Sequence, residues 1–289
     1  MIQRYRVTAL HRMSSMDVFS ADWPGICRRI VAAQQRLFEQ TPGREARTEY
    51  EGVGEGGDRS LVIDRRCEDV VFAELEQLAE AGVSFVAISE ERGEVVFGEG
   101  GPARVVIDPI DGSLNARRTL PSHSLSIAVA SGPSMADVEF GYVYDFGAGE
   151  AFAATRGEGA TLGQSRIEVA VEAEMLELLG IESAEPGRLQ PVAAALEGSV
   201  YRLRVIGSIA ITVAYVAAGR LDGMLSLRPC RSVDAAAAQL ILREAGGSVA
   251  FGELALGEAD LGLDARYPIA GAAGERGLEV IRNASVEAV

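Results

Sequence analysis

Asp108 and Asp111 stand three residues apart in the run Asp108-Pro109-Ile110-Asp111-Gly112-Ser113. Ahead of them, Arg104–Ile107 is a β-branched run that reads as a short buried strand. The strand is expected to stop at Asp108, because Pro109 has no N–H to continue a ladder. Carboxylates fixed at a strand end suit a hard divalent cation, which takes oxygen ligands. Gly112 and Ser113, followed by Leu114-Asn115, read as the opening of a helical turn, and N–H groups at such an opening suit a phosphate. The six residues together thus point to metal and phosphate. Asp, Pro and Gly are also turn formers, so a plain surface turn explains them equally well when they are taken alone.

Other acids must be placed beside these. Val83–Ser89 reads as an apolar strand ending in Glu90-Glu91; Arg92-Gly93 turns the chain and Glu94–Phe97 returns. Paired exposed glutamates are usually solvated charge, but these lie at a strand end one hairpin before Asp108. Asp64 reads as the N-cap of a helix running to about Ala81. Asp234 opens an alanine-rich helix, Ala235–Ala245, where an N-cap role is again the plain alternative. Its small side chains, Ala235 to Ala238, permit close packing, which favours an inward carboxylate.

Composition narrows the chemistry. Only His11 and His123 are present among 289 residues, which leaves little room for a histidine-rich metal site or a Ser-His-Asp triad. Cys27, Cys67 and Cys230 are widely spaced and odd in number, which fits neither a zinc pattern nor a disulfide framework and points to a reducing, cytoplasmic setting. A formal net charge of −15 argues against nucleic acid or an anionic membrane as partner. It does not argue against a phosphate, because bound cations reverse the local field. No apolar run reaches membrane-spanning length. Met1–Ala21 lacks an apolar signal core and is expected to be a poorly ordered tail, with Met13 or Met16 as alternative starts. Gly52-Val53-Gly54-Glu55-Gly56-Gly57 has the G-x-G-x-x-G spacing, but a charged stretch precedes it and Asp58–Ile63 looks extended, so a flexible glycine loop is favoured over a dinucleotide site.

The remaining elements follow from periodicity. Asp22-Trp23-Pro24 opens a helix that stops near Thr41-Pro42-Gly43. Ser124–Ala130, Val138–Tyr144, Glu150–Thr155 and Ala160–Leu162 read as strands, as do Tyr201–Val205, Leu221–Leu227, Val249–Phe251 and Tyr267–Ala270. Gly207–Ala218 and Glu275–Asn283 read as helices, and Val171–Gln190 stays ambiguous. Strands first segregate and then alternate with helices, so the fold class is α+β or layered α/β.

In order along the chain, Ser89-Glu90-Glu91, Asp108 to Asn115, Ala151 to Ala160, Gly207-Ser208, Ala217 to Asp222, Val233 to Ala236 and Glu244 to Gly247 resemble the inositol monophosphatase family, from about Gly54 to Asn283. Ser-Val-Asp in place of the frequent Trp-Asp, with Arg204 to Ala210 and Tyr215 to Arg220, is similar to the archaeal-type branch, whose members often act on both inositol monophosphate and fructose 1,6-bisphosphate. The resemblance implies a layered αβαβα fold, two or three Mg²⁺ ions, usually a homodimer, and a phosphomonoesterase of small sugar or polyol phosphates. It further implies that Glu90, Asp108, Asp111, Asp234 and the Ile110 carbonyl hold metal, with Asp64 near a third ion. Glu90, Asp108, Ser113 and Asp64 would then be catalytic. Asp111, Gly112, Ser113, Gly207, Ser208 and Arg231 would contact substrate, with Arg204 and Arg228 as further candidates. It also implies an N-terminal half, 22–170, carrying most ligands, and a C-terminal half, 171–289, completing the site. Three departures stand out: Asp58–Ile63 lacks the usual threonines, Ser113 replaces the commoner threonine, and Leu225–Arg228 offers no inositol-contacting glutamate. A 3′(2′),5′-bisphosphate nucleotidase, or a catalytically weak family member that binds a phosphorylated ligand, shares these motifs.

Overall fold

The computed structural model describes residues 3–5, 17–48, 50–53 and 59–287. Its helices are α1 (Trp23–Gln40), α2 (Val62–Glu80), α3 (Ser113–Arg117), α4 (Pro186–Ala195), α5 (Ile209–Ala217), α6 (Ser232–Glu244) and α7 (Glu275–Glu287). Two large sheets form among the described residues, one of nine strands and one of five.

The nine-stranded sheet is mixed, and its interior strand Arg104–Asp111 runs parallel to Phe85–Ser89 and antiparallel to Ser124–Ala130. Strands this buried carry apolar or small side chains on both faces: all seven residues of Ser124–Ala130 are buried, Ser124 and Ser126 among them. One face packs on α1 and α2 through Trp23, Ile30, Phe72 and Leu75; the other packs on α5 and α6 through Val106, Ala128 and Val143. The five-stranded sheet lies beyond α5 and α6, and its outer face is covered by α4 and α7 through Val192, Leu196, Leu278 and Ile281. The order of layers is therefore αβαβα. All strands of the large sheet precede Glu168, and all strands of the smaller one follow Met175.

The middle helix layer packs unusually close to the large sheet. A Cβ at Gly141 would sit 2.6 Å from the Ala237 carbonyl oxygen, so α6 rides directly on the strand Val138–Asp145. Buried Ala235, Ala236, Ala237 and Ala238 permit that approach.

Several expectations are corrected. The strand does not stop at Asp108 but runs to Asp111, because a bulge absorbs Pro109: Asp108 pairs with Ser126, and Asp111 with Ser124. Helix α2 begins at Val62, so Asp64 lies inside its first turn rather than at the N-cap. Val171–Gln190 resolves into the strand Leu176–Glu182 and the start of α4. The expected strand Tyr267–Ala270 is split by Pro268: Arg266–Tyr267 pairs with Cys230–Arg231, and Ile269–Ala272 joins the five-stranded sheet. Tyr50–Val53, where the sequence reads as a charged stretch running into a glycine loop, pairs with Arg59–Leu61. The G-x-G-x-x-G motif falls largely at 54–57, outside the described residues. In the N-terminal segment, Gln3–Tyr5 pairs with Gly93–Phe97, and Val18 is buried beneath the indole N–H of Trp23, which donates to its carbonyl at 2.8 Å.

Candidate active site

Four elements deliver acids to one cavity of about 300 Å³: the first turn of α2, the end of Phe85–Ser89, the bulged end of Arg104–Asp111, and the first turn of α6. In a regular strand, residues three apart face opposite sides. The extra residue in the bulge shifts that phase by one, so Asp108 and Asp111 both line the cavity. The bulge is held from both ends. Asp108 Oδ1 accepts the Ile110 N–H at 2.9 Å, and the buried Gln34 amide of α1 donates to the Pro109 carbonyl at 3.3 Å.

Asp234 arrives from far along the chain. Arg231 is the residue flanking α6, and Asp234 Oδ2 accepts its backbone N–H at 2.9 Å, which aims the carboxylate back over the helix start. One oxygen from each of Asp108, Asp111 and Asp234 then lies within 4.8 Å of the others.

Gly112 and Ser113 follow the bulge and line the cavity, with Ser113 opening α3. Gly112 has φ +85°, and a Cβ there would lie 2.9 Å from the carbonyl oxygens of both Gly207 and Ser122. Glycine is thus required twice over, by backbone conformation and by close approach. Asn115 ties the same junction together, donating to Ser122 and Ile206 carbonyls at 2.7 and 2.8 Å.

Burial dominates the electrostatics. It pushes Glu90 and Asp234 up to about 7 and Asp111 to about 6, and raises Asp108 well above the usual carboxylate range. For Asp108 the charges of Glu90, Asp111 and Asp234 add to the rise. Arg231 offsets part of it at Glu90, where its guanidinium forms a close ion pair.

The expected residues are largely brought together. Asp64, Glu90, Asp108, Ile110, Asp111, Gly112, Ser113, Arg231 and Asp234 all line the cavity. Gly207 and Ser208 do not. The Ser208 hydroxyl is buried and donates to Asp111 Oδ2 at 2.5 Å, beside the Ala210 N–H at 2.7 Å, so this pair supports Asp111 from behind. Arg228 lies away from the cavity, paired with Glu185 at 2.6 Å, and Arg204 is exposed. His123, buried between Phe38 and Phe146, is pushed down to about 4 by desolvation and belongs to the core.

Glu91, singled out with Glu90 in the sequence but given no role there, joins the cavity, whereas Glu182 was not singled out. The Glu91 Oε2 is buried with no hydrogen-bond partner. Glu182 ends the strand Leu176–Glu182 and accepts from Thr212 Oγ1 (2.6 Å), Gly207 N (2.8 Å) and Ile206 N (3.2 Å), holding the 206–207 turn against Gly112. The signal for Glu182 was the one used for Glu90, an acid closing an apolar run.

The donor set fits a hard divalent cation: it is all oxygen, buried, mutually repelling, and includes one orphaned carboxylate oxygen at Glu91. Residues 27–279 match the sequence model of the Inositol monophosphatase family. This chain belongs to that family. A fructose-1,6-bisphosphatase/inositol-1-monophosphatase of Methanothermobacter thermautotrophicus is 31% identical over 247 residues, covering 82% of this chain and 86% of that protein. A Nus factor SuhB of Pasteurella multocida is 34% identical over 194 residues, covering 65% and 69%. A crystal structure of an inositol monophosphatase-fructose 1,6 bisphosphatase superposes with a TM-score of 0.79 at 26% identity, covering 91% of this chain and all of that one.

Proposed function

We infer that this family member is a phosphoric monoester hydrolase acting on a small sugar or polyol phosphate, inositol monophosphate or fructose 1,6-bisphosphate. The observation that carries the reading is the convergence of Asp108, Asp111 and Asp234 from two distant parts of the chain onto one buried cavity. Glu90, Asp108, Asp111, Asp234 and the Ile110 carbonyl would hold two or three Mg²⁺ ions, with Asp64 and Glu91 beside them. When bound, such ions neutralise phosphoryl oxygens and acidify a water at neutral pH.

The chain's own groups do the rest. The cavity walls of Gly112 and Ser113 receive the phosphate, and the Ser113 hydroxyl orients it. Arg231, already inside the cavity on Glu90, presents a positive edge to a phosphoryl oxygen. Ser208 and Ala210 occupy one oxygen of Asp111 and so fix which way the other faces. These contacts must act together, because phosphate monoesters are among the slowest bonds to hydrolyse and about 20 kcal/mol or more of barrier lowering is needed. The N-terminal half, 22–170, supplies most of the acids and the half 171–289 supplies Asp234 and the backing of Asp111. A homodimer in the cytoplasm is the setting we assign.

The experiment is phosphate release with Mg²⁺ from inositol 1-phosphate, fructose 1,6-bisphosphate and adenosine 3′,5′-bisphosphate. Turnover of either sugar or polyol phosphate, lost in Asp234→Asn with the circular dichroism spectrum unchanged, is expected. Preference for the nucleotide would reassign the substrate to a bisphosphate nucleotidase. Absence of turnover on all three would leave a phosphate-binding protein.

A further inference from the structure

A second cavity, of about 960 Å³, lies against the five-stranded sheet between α4, α7 and the segments Leu225–Pro229 and Ala250–Leu254. It shares no lining residue with the acidic cavity. Its size is that of a small-molecule site. Its walls are apolar, and they include Leu227, half-buried, and Leu254, which is 43% exposed.

Its rim is basic. Arg188, Arg228, Arg266 and Arg282 all line it. Glu185 is shared by Arg188 at 3.5 Å and Arg228 at 2.6 Å, and Glu253 pairs with Arg282 at 2.6 Å. Arg266 donates to the carbonyls of Leu263 and Ala265 at 2.7 and 3.1 Å, and among the described residues no carboxylate lies within ion-pairing distance of it. Two carboxylates therefore answer four guanidiniums. That excess of positive charge among the lining residues and their ion-pair partners sits on a chain whose formal charge is −15.

We propose that this cavity binds a small amphipathic anion, with an apolar body lying along Leu227 and Leu254 and a carboxylate or phosphate head on Arg266 and Arg228. A sugar phosphate does not suit it, because its hydroxyls would be desolvated against apolar walls with few partners. A neutral apolar molecule would fill the walls but leave the guanidinium excess unanswered. Arginine suits the head, since its planar fork matches both carboxylate and phosphate oxygens. The site is linked to the acidic cavity by a short stretch of chain: Pro229 lines one, and Arg231 lines the other.

The test is isothermal titration calorimetry of the full chain with laurate and with dodecyl phosphate, both below micelle-forming concentration. Acetate serves as the head alone and octyl glucoside as a neutral apolar body. One saturable site for laurate or dodecyl phosphate is expected, with acetate and octyl glucoside at least tenfold weaker; whichever of the first two binds tighter identifies the head. The double variant Arg228→Ala/Arg266→Ala should weaken binding at least tenfold, and Leu254→Asp should abolish it, both with Mg²⁺-dependent phosphate release unchanged. Non-saturable laurate binding would overturn the proposal, as would octyl glucoside matching laurate, or affinity indifferent to the arginine pair. So would sedimentation showing a wild-type dimer that Leu254→Asp splits, because the cavity would then be covered by a second copy.

Discussion

Glu182 and the Asp108–Asp234 cluster are both buried acid sites, and donors serve them very differently. Glu182 is 1% exposed and accepts from one hydroxyl and two backbone N–H groups. Desolvation pushes it up to about 7, and each of its three donors pulls the other way. Asp108 is 2% exposed, accepts from Ile110, and is pushed up further by three neighbouring acids. The first arrangement is a clamp that happens to be acidic; the second is a set of charges short of a counterion. Burial therefore does not mark the chemistry. Crowding without enough donors does.

The sharpest way to break that contrast is to neutralise one acid in each region. Asp108→Asn should lower kcat by more than about a thousandfold, about 4 kcal/mol of transition-state stabilisation. It should leave the metal-free protein as stable as wild type or more so, because a repelling charge is gone. Glu182→Gln should do the reverse. Its new amide N–H₂ would face the donors at Ile206, Gly207 or Thr212, costing about 1–3 kcal/mol of stability, with a smaller loss of turnover through the displaced 206–207 turn. Thermal denaturation beside steady-state kinetics separates the two. Equal kinetic losses with equal stability would erase the distinction.

The next effect is on stability against pH. Glu90, Asp111 and Asp234 stand at about 7, 6 and 7 in the folded chain, against ordinary values of 3.8–4.5. Between about pH 4.5 and 7 the folded state binds more protons than the unfolded one, so stability falls as pH rises through that window. The metal-free protein should melt several degrees lower at pH 8 than at pH 5. Mg²⁺ should reduce that slope, because it takes the place of the protons on the cluster, while Glu182, also at about 7 and outside the cavity, keeps its share. A metal-free Tm that rises from pH 5 to pH 8 would mean that the cluster is already neutralised by protein groups.

Much of the site was legible because its acids close apolar strands or open a helix, which are local events. Glu90, Asp108, Asp111 and Asp234 were all found that way. Their meeting was not local: nothing near Asp234 states that α6 will lie across the strand Val138–Asp145, and that depends on Gly141 having no side chain where Ala237 arrives. The bulge was missed because Pro109 reads as a stop in a single strand, whereas in a sheet the neighbouring strand sets where pairing resumes. Asp64 was misplaced by three residues, since an acid in a first helical turn has the same charge preference as an N-cap. Glu182 was overlooked because its partners lie more than twenty residues on, at 206–212.

The finest distinction concerns Arg231, which belongs to both descriptions. Its guanidinium gives Glu90 a counterion within the protein, as Ser208 and Ala210 give Asp111 donors, so both acids are partly clamped while Asp108 is not. The two side chains are only 15% and 20% exposed, but Glu90, held at about 7, can take up a proton when the guanidinium is lost, so the pair contributes about 1 kcal/mol. Arg231→Gln should therefore lower the metal-free Tm by about 2–4 °C and change the Mg²⁺-loaded Tm less. Divalent affinity measured by calorimetry should rise several-fold, because an ion no longer competes with the guanidinium for Glu90, while KM for the phosphate substrate should rise through loss of a positive contact. Weaker Mg²⁺ binding in Arg231→Gln would mean the opposite: that Arg231 holds Glu90 in place for the ion and acts as a clamp of the Glu182 kind.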